Sequence, residues 1–448
     1  MRFEYFASVC ACVAALLVAA PAAAQPARDW ARCANEANAY SPEKAIKGCT
    51  AIIKAGRGER RELAIAFYNR ANAFYGAGNF DRAIDDYGAA IRLDPTYASA
   101  FSNRGNAYSL KGDPDKAIAD YDAAIRLNPN YTIALSNRAD IYRTKGDFDR
   151  AIADYSAAIQ ASPKRVRLFL DRGSAYRGKG DIKNAVADFD QAIKLDPKYA
   201  DAHLSRGLAH YDANDYDRAM ADFNQAINLN HRQPKALYSR GLVYTARHDY
   251  DRAIADYSEA IRLDHAFAYA YGNRARAFRA RGNLDHAIAD FNESLSLDPN
   301  NANDFNGRGL AYLDAKNYDQ AIADFTKASE LDPRYTFAIS NRCWARALAD
   351  RELRAALADC DAALTTKPDD VATLDRRALV YMKLSEIEKA IADYDAVLRL
   401  DPDDALARYS RGVARERLGD AAGASADRAA AQSLQPGVAD AFKKLGLR

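Results

Sequence analysis

Residues 105–131 read "GNAYSLKGDPDKAIADYDAAIRLNPNY", and this stretch decides the fold. In the unit around it, Phe101, Gly105 and Tyr108 recur at i, i+4 and i+7, one face of a helix. Gly112-Asp113-Pro114 breaks that helix. Ala117, Tyr121, Ala124 and Ile125 form the apolar face of a second helix, which Asn128-Pro129 ends. The unit is therefore an antiparallel helix pair with small residues (Gly105, Ala117, Ala124) where the helices touch. One pair cannot bury its own apolar faces. Stacking against neighbours does, which predicts a solenoid.

The phrase recurs along the chain. Residues 173–199 read "GSAYRGKGDIKNAVADFDQAIKLDPKY", and residues 378–400 carry "ALVYMKLSEIEKAIADYDAVLRL". Asp-Pro or Asn-Pro falls at Pro95, Pro129, Pro197, Pro299, Pro333 and Pro402, at multiples of 34 with one residue extra in the last interval. A period of 34 with small, aromatic and Pro signposts in phase resembles the tetratricopeptide repeat. With this Pro at position 32, units begin at Ala64, Ala98, Thr132, Val166, Ala200, Pro234, Ala268, Ala302, Thr336, Val371 and Ala405. The resemblance implies an all-α fold: a right-handed α-solenoid of about twelve helix hairpins. The expected divisions are a signal peptide at 1–24, a degenerate first repeat at 25–63, eleven repeats in phase at 64–438 and a capping helix at 439–448. Repeats are numbered one to twelve on this scheme.

A chain of 448 residues is longer than one compact core usually serves. Charged residues make up 28% with net charge +2 and no like-charged block, so nothing points to nucleic acid or a membrane surface. Arg2 precedes a mostly apolar run, Ala7 to Ala20, and then Pro21-Ala22-Ala23-Ala24-Gln25. That is a charged start, an apolar region too short to span a bilayer, and a small-residue cleavage site. Cleavage is expected after Ala24, with an uncleaved anchor as the alternative. Ala7-Ser8-Val9-Cys10 lacks the Leu and small residue that usually precede a lipoprotein cysteine. No second apolar segment follows, so the mature chain is expected to lack a membrane span and to be periplasmic or secreted.

Position 7, usually Leu in the family, is Arg in every unit: Arg32, Arg70, Arg104, Arg138, Arg172, Arg206, Arg240, Arg274, Arg308, Arg342, Arg377 and Arg411. Position 23 is Asp in eleven: Asp86, Asp120, Asp154, Asp188, Asp222, Asp256, Asp290, Asp324, Asp359, Asp393 and Asp427. A charged binding ladder is one reading. One structural ion pair per repeat is the favoured one, because the planar guanidinium fork can grip a carboxylate with two bonds. The cap, which has no second helix, carries Leu445 at position 7; repeat one carries Gly48 at position 23.

Four cysteines follow the leader, and an even number in an exported chain permits disulfides. Cys33 and Cys343 occupy position 8, elsewhere Gly or Ala; Cys49 and Cys360 occupy position 24, elsewhere aromatic apart from Arg428. Two repeats thus change the same two facing sites together. The expected bonds are Cys33–Cys49 and Cys343–Cys360, with metal ligation a poor alternative for two thiols lacking further ligands.

No phosphate loop, zinc spacing or nucleophile elbow occurs, so neither catalytic residue, metal nor cofactor is expected. His203 and His210, seven apart on one helix, are read as packing. The resemblance implies a concave groove lined by positions 2, 5, 9, 12 and 13 of the first helix. Position 9 runs Asn72, Asn106, Asp140, Ser174, then Leu208, Leu242, Arg276, Leu310, Trp344, Leu379 and Val413, turning from polar to largely apolar. Leu204, Tyr211, Tyr238, Leu313, Phe337, Met382 and Tyr409 add to the apolar half. Leu204, Leu208, Tyr211, Tyr238, Leu242, Leu310, Leu313, Phe337, Trp344, Leu379, Met382 and Tyr409 are the candidate partner-binding residues, since apolar side chains on a soluble surface suggest a partner. Closure of the superhelix over them, or a homo-dimer through the last repeats, is the alternative. The family's clamp for chaperone-tail carboxylates pairs Lys at position 5 with Asn at 9; here Tyr68 precedes Asn72, so that function is not supported. The expected function is a non-enzymatic exported scaffold binding a peptide or partner helix. A regulatory subunit of a cell-envelope enzyme and a self-assembling structural solenoid are the other classes.

Overall fold

The computed structural model describes residues 21–56 and 58–443. Most of the expected leader, together with Leu445, lies outside the described residues. Among them are 25 α-helices and one short 3-10 turn, Glu36–Asn38, arranged as consecutive antiparallel hairpins. The helix Pro21–Ala34 runs through the expected cut after Ala24.

Each hairpin is built by local rules. In repeat three the first helix is Ala98–Leu110 and the second is Pro114–Leu127. Between them Gly112 takes φ +79°, a left-handed conformation that lets the chain reverse. The carboxylate of Asp113 accepts a hydrogen bond from Lys116 N and caps the second helix. Asn128 ends it in extended geometry, as a residue before proline must. Asp or Asn caps the second helix in the same way at Asn79, Asp147, Asp181, Asp215, Asp249, Asn283 and Asp420.

The left-handed turn position is not always glycine. Asn214, His248, Lys316, Asp350 and Ser385 adopt φ between +53° and +59° or +61° there, at a cost of about 1 kcal/mol each. Repeat ten adds Glu352 at φ +51°, where its one extra residue is accommodated.

The core is alanine backed by aromatics. Ala100, Ala107, Ala117 and Ala124 are fully buried, and Tyr121 packs in one cluster with Ala117, Ala124 and, from the next repeat, Ala134. Position 8 is small because the aromatic at 24 lies against it: a Cβ at Gly105 would sit 2.8 Å from Tyr121 Cε1. Phe189 and Gly173 repeat the arrangement.

The chain divides into two units, residues 1–213 and 214–448. The first holds the hairpins up to Leu195 and the helix Ala200–Asp212. The second starts with the helix Tyr216–Leu229 and continues through the hairpins from Pro234 to Leu434 to the helix Val438–Lys443, whose Val438 and Phe442 are buried.

In the first hairpin Cys33 bonds Cys49, with Cα atoms 4.5 Å apart. The helices there are so close that a Cβ at Gly48 would lie 2.7 Å from Arg32 Cβ and from the Asp29 carbonyl. No Asp fits at that position, and Arg32 pairs instead with Asp29 at 3.5 Å. In the second unit Cys343 bonds Cys360, Cα atoms 5.6 Å apart, inside an apolar cluster with Leu374, Leu379, Met382, Tyr394 and Val397.

Candidate partner-binding face

The charges at positions 7 and 23 are consumed inside the hairpins. Arg70 Nε and Nη2 lie 2.6 and 2.8 Å from the two oxygens of Asp86. The same two-pronged grip joins Arg104 to Asp120, Arg138 to Asp154, Arg172 to Asp188, Arg240 to Asp256 and Arg274 to Asp290. It recurs at Arg308–Asp324, Arg342–Asp359, Arg377–Asp393 and Arg411–Asp427. The hydrogen bonds to Asp120, Asp188, Asp256 and Asp324 hold the guanidinium groups of Arg104, Arg172, Arg240 and Arg308 firmly protonated, above the usual arginine range. Arg206 and Asp222 belong to different units: within its own, Arg206 bonds Asp190 at 2.6 Å, and Asp222 is buried.

The sequence reading missed the third arm of each arginine. Nη1 reaches back to position 25 of the preceding repeat. Arg70 bonds Thr50 there, Arg138 Asp122, Arg172 Ser156, Arg240 Asn224, Arg274 Ser258 and Arg308 Asn292. Arg342, Arg377 and Arg411 do the same with Thr326, Asp361 and Asp395. One side chain therefore locks its own hairpin and the interface before it. Only Arg104 faces a glycine, Gly88, among these positions.

In the first unit, the first-helix face carries side-chain amides. Asn72, Asn106 and Asp140 at position 9 accept from the buried Tyr87, Tyr121 and Tyr155 hydroxyls at 2.6–2.7 Å. Burial raises all three phenols above their usual range. Asn103 and Asn137 donate to Asn72 and Asn106 across successive repeats at 3.1 and 2.7 Å. A cleft of about 630 Å³ opens beside this row, lined by Tyr75, Asn106, Leu110, Tyr121, Asn137 and Asp140 among others. Leu110 is 59% exposed at its rim.

The apolar candidates divide by burial. Phe337 is 62% exposed. Leu208, Tyr211, Tyr238, Leu242, Leu310, Leu313, Trp344 and Tyr409 are half-buried. Leu204, Leu379 and Met382 are buried, which corrects their expected place on the surface: Leu379 and Met382 belong to the core cluster around the second disulfide. Trp344 packs on that cluster, with the Arg376 guanidinium 6.0 Å from its ring. Tyr409 is covered by Phe442 of the final helix at 5.3 Å, and Tyr238 lies against Phe267 at 4.9 Å. Much of the apolar row is thus packing between repeats.

A second cleft, of about 400 Å³, opens in repeats eight and nine of the second unit. Its walls include Tyr269, Arg276, Arg279, Phe291, Asp304, Asn306 and Tyr335. Tyr269 is 63% exposed at its edge. Farther along the face, Asp375 is half-buried; desolvation, with the Asp404 carboxylate nearby, pushes its pKa up from 3.8 to about 7.

Among the described residues no group of three or more His, Cys, Asp or Glu could hold a metal ion, and no helix is long and apolar enough to cross a membrane. His203 is buried with Nε2 3.2 Å from the Pro197 carbonyl oxygen.

Comparison with known proteins matches tetratricopeptide repeat models at residues 68–132, 104–166 and 170–236, at 234–267, 268–301 and 302–335, and at 378–419. Among curated proteins no sequence matches. Solved structures share local similarity. A tetratricopeptide repeat protein from Parabacteroides merdae is 22% identical over 55% of this chain and 97% of its own, with a TM-score of 0.46. MamA is 30% identical over 38% of this chain and 94% of its own, TM-score 0.33. YrrB, described as having an unusual peptide-binding site, is 21% identical over 41% and 95%, TM-score 0.35.

Proposed function

Because the chain belongs to the tetratricopeptide repeat family, we propose that it is a non-enzymatic scaffold that holds an extended segment of a partner protein along its first-helix face. The observation that carries this reading is the division of labour among side chains. The second helices and the position-7 arginines are spent on internal bonds, while the first-helix face keeps two clefts and the exposed rings of Tyr269 and Phe337. Rigid aromatic anchors beside clefts suit peptide capture.

The same reading places the protein outside the cytoplasm. Two disulfides fit an oxidising compartment. Pro26 lies inside the helix Pro21–Ala34, where its missing N–H breaks the ladder. In a chain cut after Ala24 it would stand in the first turn, where no N–H is needed. Amino-terminal sequencing of the protein from a bacterial periplasm should begin at Gln25; an intact leader overturns the placement.

The binding test is selection of peptides from a displayed random library by the immobilised mature chain. Enrichment that is lost in the Tyr269→Ala/Phe337→Ala variant, with unchanged far-ultraviolet circular dichroism, supports the scaffold. Absence of any enriched peptide, with light scattering showing concentration-dependent growth, favours a self-assembling structural protein instead.

A further inference from the structure

The cleft of repeats eight and nine departs from the repeated phrase in several coupled ways. Position 3 is Ala in most repeats (Ala270 and Ala338 are the neighbours), but Asp304 stands there in repeat nine and is 2% exposed. Position 27, elsewhere Ala, Val or Ile, is Ser294, whose Oγ lies 2.6 Å from Asp304 Oδ2. Asn301 Nδ2 donates to the same oxygen at 3.2 Å. The other oxygen accepts from Arg276 Nη2. Position 5 is Gly272, where a Cβ would collide with the Asp304 carboxylate at 2.7 Å. Position 6 is Gly307, where a Cβ would collide with Phe291 at 2.5 Å.

These changes serve one group, the guanidinium of Arg276. Asp304 anchors one of its edges and the Phe291 ring lies 5.6 Å beneath it. Its side chain is 39% exposed, and it has no other hydrogen-bond partner among the described residues. A carboxylate buried at an alanine position is costly, and stapling does not require it, because Arg274 and Arg308 already lock these hairpins. Around the free edge stand further donors. Arg279 lines the cleft with its Nε given to Asp314 at 2.7 Å, and Asn306, whose oxygen is taken by Asn341 Nδ2 at 2.9 Å, turns its amide N–H toward the Tyr335 hydroxyl at the cleft wall. A site of held donors calls for an acceptor, and the planar fork fits a two-oxygen one best. Holding the fork in place beforehand removes the ordering cost of binding.

We propose that the Arg276 cleft receives a carboxylate of the bound segment, with Tyr269 closing over the adjacent residue. The proposal rests on the peptide-scaffold reading above. The carboxylate can come from an Asp or Glu side chain or from a free chain terminus.

The test uses the full mature chain and random octapeptide libraries made both as C-terminal acids and as C-terminal amides. The wild type should enrich Asp or Glu at a fixed position in both libraries if the source is a side chain, or enrich only the acid library if it is a terminus. For the best peptide, replacing Glu by Gln or acid by amide should weaken binding by about tenfold. Arg276→Gln should abolish that discrimination. The double variant Arg276→Leu/Asp304→Ala restores residues that neighbouring repeats carry at these positions, so it should fold, and it should retain neutral peptides without preferring acidic ones. Enrichment of peptides without a carboxylate preference, or a preference that survives the double variant, overturns the proposal and leaves the scaffold reading standing. Enrichment of no peptide by the wild type overturns both.

Discussion

Gly88 should be improvable to serine, and the gain should appear on the far side of a repeat interface. Gly88 is buried in the helix Phe80–Leu93, at the one position among those faced by Nη1 of the next arginine that offers no acceptor. A Cβ built there lies 3.5 Å from Arg104 Nη1, an ordinary contact, so the substitution needs no movement. Replacing Gly by Ser in a helix interior gains about 0.5 kcal/mol of propensity. A hydrogen bond to a charged donor adds about 1 kcal/mol net. The expected stabilisation is about 1.5 kcal/mol. Gly88→Ala is the control, gaining about 1 kcal/mol from propensity alone. Stacked repeats separate an intrinsic stability from an interface stability, so native-state hydrogen exchange is the assay. Gly88→Ala should raise protection in Phe80–Leu93. Gly88→Ser should raise it there and also in the next first helix, Ala98–Leu110, which carries Arg104. Equal protection of Ala98–Leu110 in the two variants would refute the third-arm argument.

The other expectations concern the same framework. Arg240→Leu and Asp256→Ala should each destabilise the chain by about 3 kcal/mol, because each strands a largely buried charge, and the double variant should lose less than their sum; additive losses in urea unfolding would contradict the pairing. Lys316→Gly should stabilise by about 1 kcal/mol, since Lys316 holds φ +61°, while Gly112→Ala should destabilise by a similar amount; thermal unfolding checks both. Asp375 has a folded pKa raised from 3.8 to about 7, so the folded state binds the extra proton between those values and stability should fall as pH rises through that window. Urea unfolding followed by the fluorescence of nearby Trp344 should show the decline, and Asp375→Asn should flatten it; a wild-type midpoint independent of pH would contradict the burial argument.

The hairpins were legible because their signals are local and periodic. Gly112, Asp113 and Pro129 each act on their own backbone, and the small–aromatic match of Gly105 with Tyr121 follows from two positions in one phrase. The face was less legible because its meaning depends on neighbours. Leu379 and Met382 have the spacing of groove residues, yet the bulky side chains around Cys343–Cys360 enclose them. Asp304 reads in sequence as one more surface acid; only the glycine gap at Gly272, thirty-two positions earlier, lets it enter the core. The signal that could have exposed it was a simultaneous departure at positions 3, 5, 9 and 27 in adjoining units. The acceptors at position 25 vary among Thr, Asp, Ser and Asn, so their shared role hides behind different letters.

The backward reach of each arginine gives the array a polarity in how it can be edited. A repeat joins its predecessor through position 7 and its successor through position 25. Interior copies other than repeat two, whose position 25 is Gly88, carry both halves of the joint and are interchangeable: one can be duplicated or removed and the seam on either side closes again. The twelfth repeat has Ala429 at position 25 and so carries only the backward half. A repeat appended after it would meet a mute surface, whereas one inserted ahead of it would be received. Such an array lengthens from within.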